Sequence, residues 1–245
     1  MSVLPRSEIA RAVAGATDDT RVRAALEIYV ARLLERNAAT NLTAARDAVA
    51  VVAHVRDSLG LVPFVRDPHV DIGSGGGFPA IPLAIATGVR MTLVESVGKK
   101  AAFLREIASE LGLAFDVVAL RAEDVGRDAT YRERFASASG RAVAGVTTVL
   151  ELTIPLLAVG GVALLQRGRL SLAERAATSD AALVLGAAWT GEFAVGEDGV
   201  EAFAPPGEDG RRLLVVTKVA PTGPRFPRRA GVPAKRPLCE VAART

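Results

Sequence analysis

Between residues 20 and 36 the chain reads TRVRAALEIYVARLLER, and Val22, Leu26, Tyr29, Val30, Leu33 and Leu34 recur at three- and four-residue steps. That spacing predicts an amphipathic helix. A second helix of the same character is predicted over 48–61, and the polar stretch between them, RNAATNLTAARD, is rich in capping residue types. From residue 69 the texture changes to a short strand (69–72), a glycine loop (73–77) and a helix over 78–87. Pro79 is that helix's second residue, where a missing N–H costs nothing. Further strands are predicted over 89–95, 113–119, 161–166 and 212–219, with a weaker one over 135–139 and helices over 99–112 and 146–157. Alternation of this kind predicts the α/β class, a Rossmann-like, mostly parallel sheet with helices on both faces. The pattern divides the chain into an N-terminal helical extension (1–62), an α/β core (63–220) and a basic, proline-rich tail (221–245) read as extended.

Composition narrows the class. Half of the 245 residues are hydrophobic and 23% are charged, enough apolar surface for a sizeable core and too little charge for a disordered chain. No run approaches the roughly 18 apolar residues of a membrane span, and no signal-peptide pattern opens the chain, so a cytoplasmic location is expected. One cysteine and two histidines are poor material for a zinc site, and no metal is expected. The net charge of +3 hides an asymmetry: from residue 211 onward nine Lys or Arg face one acid, Glu240. A basic end on a near-neutral body points to a polyanionic partner or to a solvated tail.

Chemistry enters with VDIGSGGGFPAIPLAIA. In open α/β sheets ligands bind beyond the carboxyl ends of the strands, where a loop leads into a helix. Gly73, Gly75 and Gly77 allow the backbone to approach a ligand closely. A dinucleotide site calls for a glycine at position 78, where this chain has Phe78. The observed spacing suits a ligand without pyrophosphate, whose adenosine and amino-acid parts lie along the loop. Glu95, at the end of the next strand, is placed to accept hydrogen bonds from both ribose hydroxyls. After the third strand, Ala122 and Glu123 admit two readings, contact with an adenine ring or acids set against a helix dipole. His54 is either a site residue or a core histidine, and Arg141 either meets an anionic group or forms a structural salt bridge.

Taken in order, RNAATNLTAARD, HVRDSLGLVP, VDIGSGGGFPAIPLAI, VESVGKKAAFLREIASELGL, RAEDV, GRAVA, LLAVGGVALLQRG and PRRAGVPAKRPL resemble one family. It is the glucose-inhibited division protein B family, bacterial small-subunit rRNA guanine-N7 methyltransferases, and the resemblance spans residues 22 to 238. It implies a class I methyltransferase fold and S-adenosyl-L-methionine as cofactor. The implied reaction is methylation of N7 of one guanine in the decoding region of 16S rRNA, free or within the 30S subunit. Carried over motif by motif, the cofactor residues are Gly73, Gly75, Phe78, Glu95, Ala122, Glu123 and Arg141. The RNA contacts are His54, Lys99, Lys100, Arg121 and Arg167, to which the tail charge adds Arg228 and Arg229. Two positions depart from the family pattern. Gly140 stands where a serine usually precedes the arginine of GRAVA, and Arg167 replaces a lysine, a change that keeps charge but not geometry.

Guanine N7 is an in-plane lone pair without a proton, so its methylation needs no general base. The lack of a Ser/His/Asp or Cys/His set is consistent with this. Two other readings remain from the residues alone: a nicotinamide-dependent oxidoreductase, which shares the strand, loop and acid, and an RNA-binding regulator that has kept the fold without turnover.

Overall fold

The computed structural model describes residues 6–141, 144–196, 199–201 and 210–239. Its N-terminal part is three helices, α1 (Arg6–Ala14), α2 (Thr20–Thr40) and α3 (Ala48–Leu59). Asp19 caps α2, its carboxylate accepting from the amides of Arg21 and Val22, and Asp47 caps α3 through the amide of Ala50. Helix α2 outruns its predicted end because Asn41 adopts a left-handed conformation and closes the last turn onto Asn37 O. Helix α1 escapes the sequence pattern; it is short, and among its described side chains only Ile9 and Val13 are buried.

The α/β part contains β1 (His69–Ile72), α4 (Ala80–Thr87), β2 (Met91–Val94), α5 (Gly98–Leu111), β3 (Phe115–Val118), α6 (Ala122–Val125), β4 (Phe135–Ser139), α7 (Val146–Thr153) and β5 (Leu157–Arg167). It closes with α8 (Leu172–Val184), β6 (Ala187–Gly196), β7 (Gly199–Glu201), β8 (Arg212–Lys218) and α9 (Val232–Lys235). Eight strands form one sheet in the order β3-β2-β1-β4-β5-β8-β6-β7. The first five in that order are parallel, and β8 runs antiparallel between β5 and β6. The strand order reverses between β1 and β4, which opens a crevice at their carboxyl ends. The predicted helix over 146–157 stops at Thr153, with a 3-10 turn over Ile154–Leu156, because Pro155 cannot continue an α-helix. Helix α8, closed by a Ser171–Glu174 capping box, and strands β6 and β7 fill a stretch that the periodicity left unassigned.

Two apolar clusters cover the two sheet faces. One joins α1, α2 and α3 to α4 and α5 through Leu26, Val30, Leu33, Val52, Leu83 and Leu104. The other packs α7 and α8 through Leu150, Ala181 and Leu185, and it includes Phe226 from the C-terminal segment. No helix among the described residues is long and apolar enough to cross a membrane.

The expectation of an extended tail is corrected by the structure. Residues 221–239 fold back as a strap: Thr222, Phe226 and Pro233 are buried, and α9 forms within it. Arg132 fastens the strap by donating to the carbonyls of Phe226 (2.7 Å) and Thr222 (2.7 Å). Thr148 Oγ1 donates to Pro233 O at 3.0 Å. Proline and charge alone read as solvated chain, whereas buried polar anchors on α7 and beside β4 hold this segment down.

Candidate cofactor and nucleic-acid site

The glycine loop leaves β1 and turns under the end of β2. Gly73 N–H donates to Val94 O at 2.8 Å, and Gly77 N–H donates to Ser74 O at 2.6 Å. Gly77 has φ +101°, and a Cβ there would lie 2.3 Å from Cδ1 of Ile81, so no other residue fits without rearrangement. Glu95 follows β2 and is buried; its carboxylate accepts from Gly75 N–H (2.9 Å) and Val97 N–H (2.7 Å). Each oxygen has lone-pair capacity left after these bonds. An acid fixed at the strand end beside a glycine cradle fits an adenosine ribose.

The loop is braced from the N-terminal helices. Tyr29 of α2 is fully buried and donates to Gly76 O at 2.8 Å. Burial raises its phenol well above the ordinary value. Asn37 donates to the carbonyls of Thr43 (2.9 Å) and Ala45 (2.8 Å), which holds the Asn41-Leu42-Thr43 turn against the glycines. A Cβ on Gly76 would sit 3.2 Å from Leu42 O, a tight contact where the two loops meet. Phe78, buried at the start of the next turn, meets Tyr29 and His54 edge-on at centroid distances of 5.6 and 5.4 Å. The Arg141 guanidinium lies 5.0 Å over the Phe78 ring. Burial, reinforced by Arg141, lowers the pKa of His54 and favours its neutral form.

Beneath the loop lies a buried polar chain. Ser139 Oγ donates to Asp71 Oδ1 at 2.6 Å, and His69 Nε2 and Nδ1 lie 2.8 Å from the hydroxyls of Ser139 and Ser137. Asp71 Oδ2 is buried and meets no hydrogen-bond partner among the described residues, and burial pushes the carboxyl up to about 7. Burial also drives the His69 imidazole down to about 3. Gly140 follows directly; a Cβ there would lie 2.9 Å from Cγ1 of Val149, so a side chain at this position requires Val149 to shift.

Beside this floor opens a cleft of about 830 Å³. Its walls carry Gly73, Gly75, Phe78, His54, Arg141, Lys100 and Arg167 together, with the Asn41–Thr43 turn on one side. Six cationic side chains line it, Arg46, Lys100, Arg141, Arg167, Arg211 and Arg212, against one carboxylate, Asp57. Arg167 Nε and Nη2 are buried and meet no acceptor among the described residues. Unmatched buried donors in a cationic cleft fit an anionic ligand. The motif pattern did not single out Tyr29, Asn37, Arg46 or Arg211, and it named Asp57 as a motif position without a role.

Other expected residues lie outside the cleft walls. Lys99 and Arg121 are exposed at the starts of α5 and α6, and Ala122 is half-buried. Glu123 is buried, and its carboxylate accepts from Gly231 N–H of the strap at 2.7 Å, which ties α6 to the C-terminal segment. The expected RNA contact through Arg228 is corrected. Its guanidinium grips the fully buried Glu151 with two parallel bonds, 2.8 and 2.6 Å, and donates to Arg236 O. Arg211 and Lys218 are likewise paired, with Asp57 and Glu133, whereas Arg212 lies 3.9 Å from Glu192 and its buried Nε and Nη2 make no hydrogen bond among the described residues. Arg229 remains exposed, with Arg225, Lys235 and Arg236 nearby in the chain, so the free basic surface is smaller than the charge count suggests.

A five-stranded parallel sheet with an antiparallel β8, a glycine loop without the dinucleotide spacing and an acid after β2 define a class I S-adenosylmethionine-dependent methyltransferase. A family profile described as rRNA small subunit methyltransferase G (GidB) matches residues 22–191, and the chain belongs to that family. A ribosomal RNA small subunit methyltransferase G of Chloroflexus aggregans is 44% identical over 220 residues, covering 86% of this chain and 87% of the relative. The Pelotomaculum thermopropionicum enzyme of that name is 38% identical over 247 residues, 97% of this chain and 100% of its own length. Among solved structures, an O-methyltransferase from Bacillus cereus superposes with a TM-score of 0.53 at 19% identity, covering 78% of this chain and 91% of that one. That likeness bears on the fold alone. Family membership sets aside the nicotinamide-dependent reading.

Proposed function

We propose that this chain transfers a methyl group from S-adenosylmethionine to N7 of one guanine in the decoding region of 16S rRNA, acting in the cytoplasm on the RNA or the 30S particle. The observation that carries the reading is the cationic cleft opening directly beside the glycine loop and Glu95, so that donor and polyanion sites adjoin. S-adenosylmethionine, when bound, supplies an electrophilic methyl group on a sulfonium. Gly73, Gly75 and Phe78 form its cradle, Glu95 takes the ribose hydroxyls, and the backbone at Ala122 and Glu123 borders the adenine. Arg141, held over Phe78, serves the carboxylate or a substrate phosphate. His54, Lys100 and Arg167 face the RNA within the cleft, with Lys99, Arg121 and Arg229 as outlying phosphate contacts. Because N7 carries no proton, these residues have only to align the two reactants, which supplies on the order of 7–11 kcal/mol of the barrier.

The test is transfer of a labelled methyl group to 30S subunits lacking the modification, followed by nucleoside digestion. Label in 7-methylguanosine, abolished by Glu95→Ala, is the expected outcome. Cofactor binding without label on particles or free rRNA would refute the substrate assignment and leave an RNA-binding regulator as the better account.

A further inference from the structure

Among the residues that line the cleft, Asp57 is the one carboxylate amid six cations. An acid in a cleft built for phosphate repels the backbone of its ligand, so its place there calls for a donor on that ligand. Helix α3 carries His54 and Asp57 three residues apart, on one face, and His54 packs against Phe78 at the glycine loop. Asp57 lies one turn further along α3 from that contact, on the side of Gln166 in β5 and Arg211 just before β8. It is anchored twice: Arg211 Nη1 donates to its Oδ1, and Gln166 Nε2 donates to its backbone carbonyl. Its side chain is 18% exposed, and Oδ2 meets no donor among the described residues.

We propose that Asp57 is a specificity-determining residue that reads the Watson–Crick edge of the target guanine, with Arg211 beside it. This rests on the guanine reading of the substrate given above. Guanine presents N7 on one edge and the adjacent donors N1–H and N2–H on the opposite edge, with the O6 acceptor next to N1–H. A base whose N7 faces the methyl donor turns its N1–H and N2–H away, toward the far wall of the cleft. A carboxylate accepts both hydrogens, and a neighbouring guanidinium donates to O6. The Asp57–Arg211 pair offers this acceptor–donor order side by side. Adenine has the inverse order, an acceptor at N1 beside a donor at N6, and is rejected. The other lining acceptors, such as the side chains of Asn41 and Thr43, are neutral and make weaker readers of two donors.

The experiment uses 30S particles carrying either guanosine or inosine at the methylated position, the latter lacking only the 2-amino group. With the wild-type enzyme, kcat/KM on inosine particles is expected to fall roughly 10- to 150-fold, the discrimination a hydrogen bond to a charged acceptor supports. In Asp57→Asn the rate on guanosine falls, and the guanosine-to-inosine ratio collapses toward one. S-adenosylmethionine binding, measured separately, remains as in the wild type. A purely structural latch to Arg211 would lower both rates and leave the ratio intact, and that result overturns the inference. Equal wild-type rates on the two particles overturn it as well, without recourse to any variant. Failure to find 7-methylguanosine on the guanosine particles would overturn the substrate reading together with this one, so the two failures are distinguishable.

Discussion

Replacing Arg228 with alanine separates two accounts of the C-terminal strap. If Arg228 served RNA, its loss would weaken substrate binding, flatten the salt dependence and spare stability. In the structure it neutralises Glu151, which is fully buried in α7, through a bidentate contact, and its own guanidinium is largely covered. Removing one partner of a buried pair leaves an uncompensated charge and costs about 3–5 kcal/mol. The backbone N–H of residue 228 still reaches Glu151 Oε1 in the variant, which favours the lower end of that range. For a chain of this size the cost corresponds to a drop in Tm of roughly 6–20 °C. Urea unfolding of Arg228→Ala should therefore show a lower midpoint, and the double variant Arg228→Ala/Glu151→Leu should regain part of the loss, because the buried charge is gone with its partner. Wild-type stability in Arg228→Ala combined with weakened RNA binding would refute the anchoring account and restore Arg228 to the RNA surface.

Three further outcomes follow from the geometry. Tyr29→Phe deletes the donor to Gly76 O in a buried setting and should cost about 1–3 kcal/mol of stability, with weaker S-adenosylmethionine binding by calorimetry; an unchanged affinity would mean the loop needs no brace from α2. Gly77→Ala places a methyl 2.3 Å from Ile81 at φ +101° and should reduce cofactor affinity more than it reduces RNA binding, read by titrating each ligand separately. The His69–Asp71 pair makes opposed pH contributions. His69, lowered to about 3 in the fold, stabilises fully above its unfolded value near 6.5, and this is lost as pH falls through 3. Asp71, raised to about 7 from 3.8, stabilises fully below 3.8, and this is lost as pH rises through 7. The two slopes oppose each other between pH 4 and 6.5, so Asp71→Asn should expose the His69 slope, about 1.4 kcal/mol lost per unit of acidification. Matching pH profiles for the variant and the wild type over that window would disprove the assignment.

The parts of the molecule that were legible in the sequence are those in which a local rule and the global fold agree. Helix α2 announces itself by its apolar steps, β1 and the glycine loop by a strand running into glycines, and Glu95 by its distance from Gly73. Pairings across long stretches of chain left no local trace. Arg228 meets Glu151 and Gly231 meets Glu123 across 77 and 108 residues, so the strap read as a solvated basic tail when its charges were counted one by one. Helix α8 did carry a local signal, the Ser171–Glu174 capping box, but Leu172 and Leu183 point to solvent and blur its apolar stripe. The same limit applies within the site. Motif spacing finds the glycines of the loop, since glycine has few other reasons to recur. It names Asp57 only as a position of the H-x-x-D-S motif, and the charge around that aspartate is seen only once six cations are found to line the same cleft. Charge composition overestimates the free basic surface, because whether a charged side chain faces solvent or another part of the chain is decided by tertiary pairing.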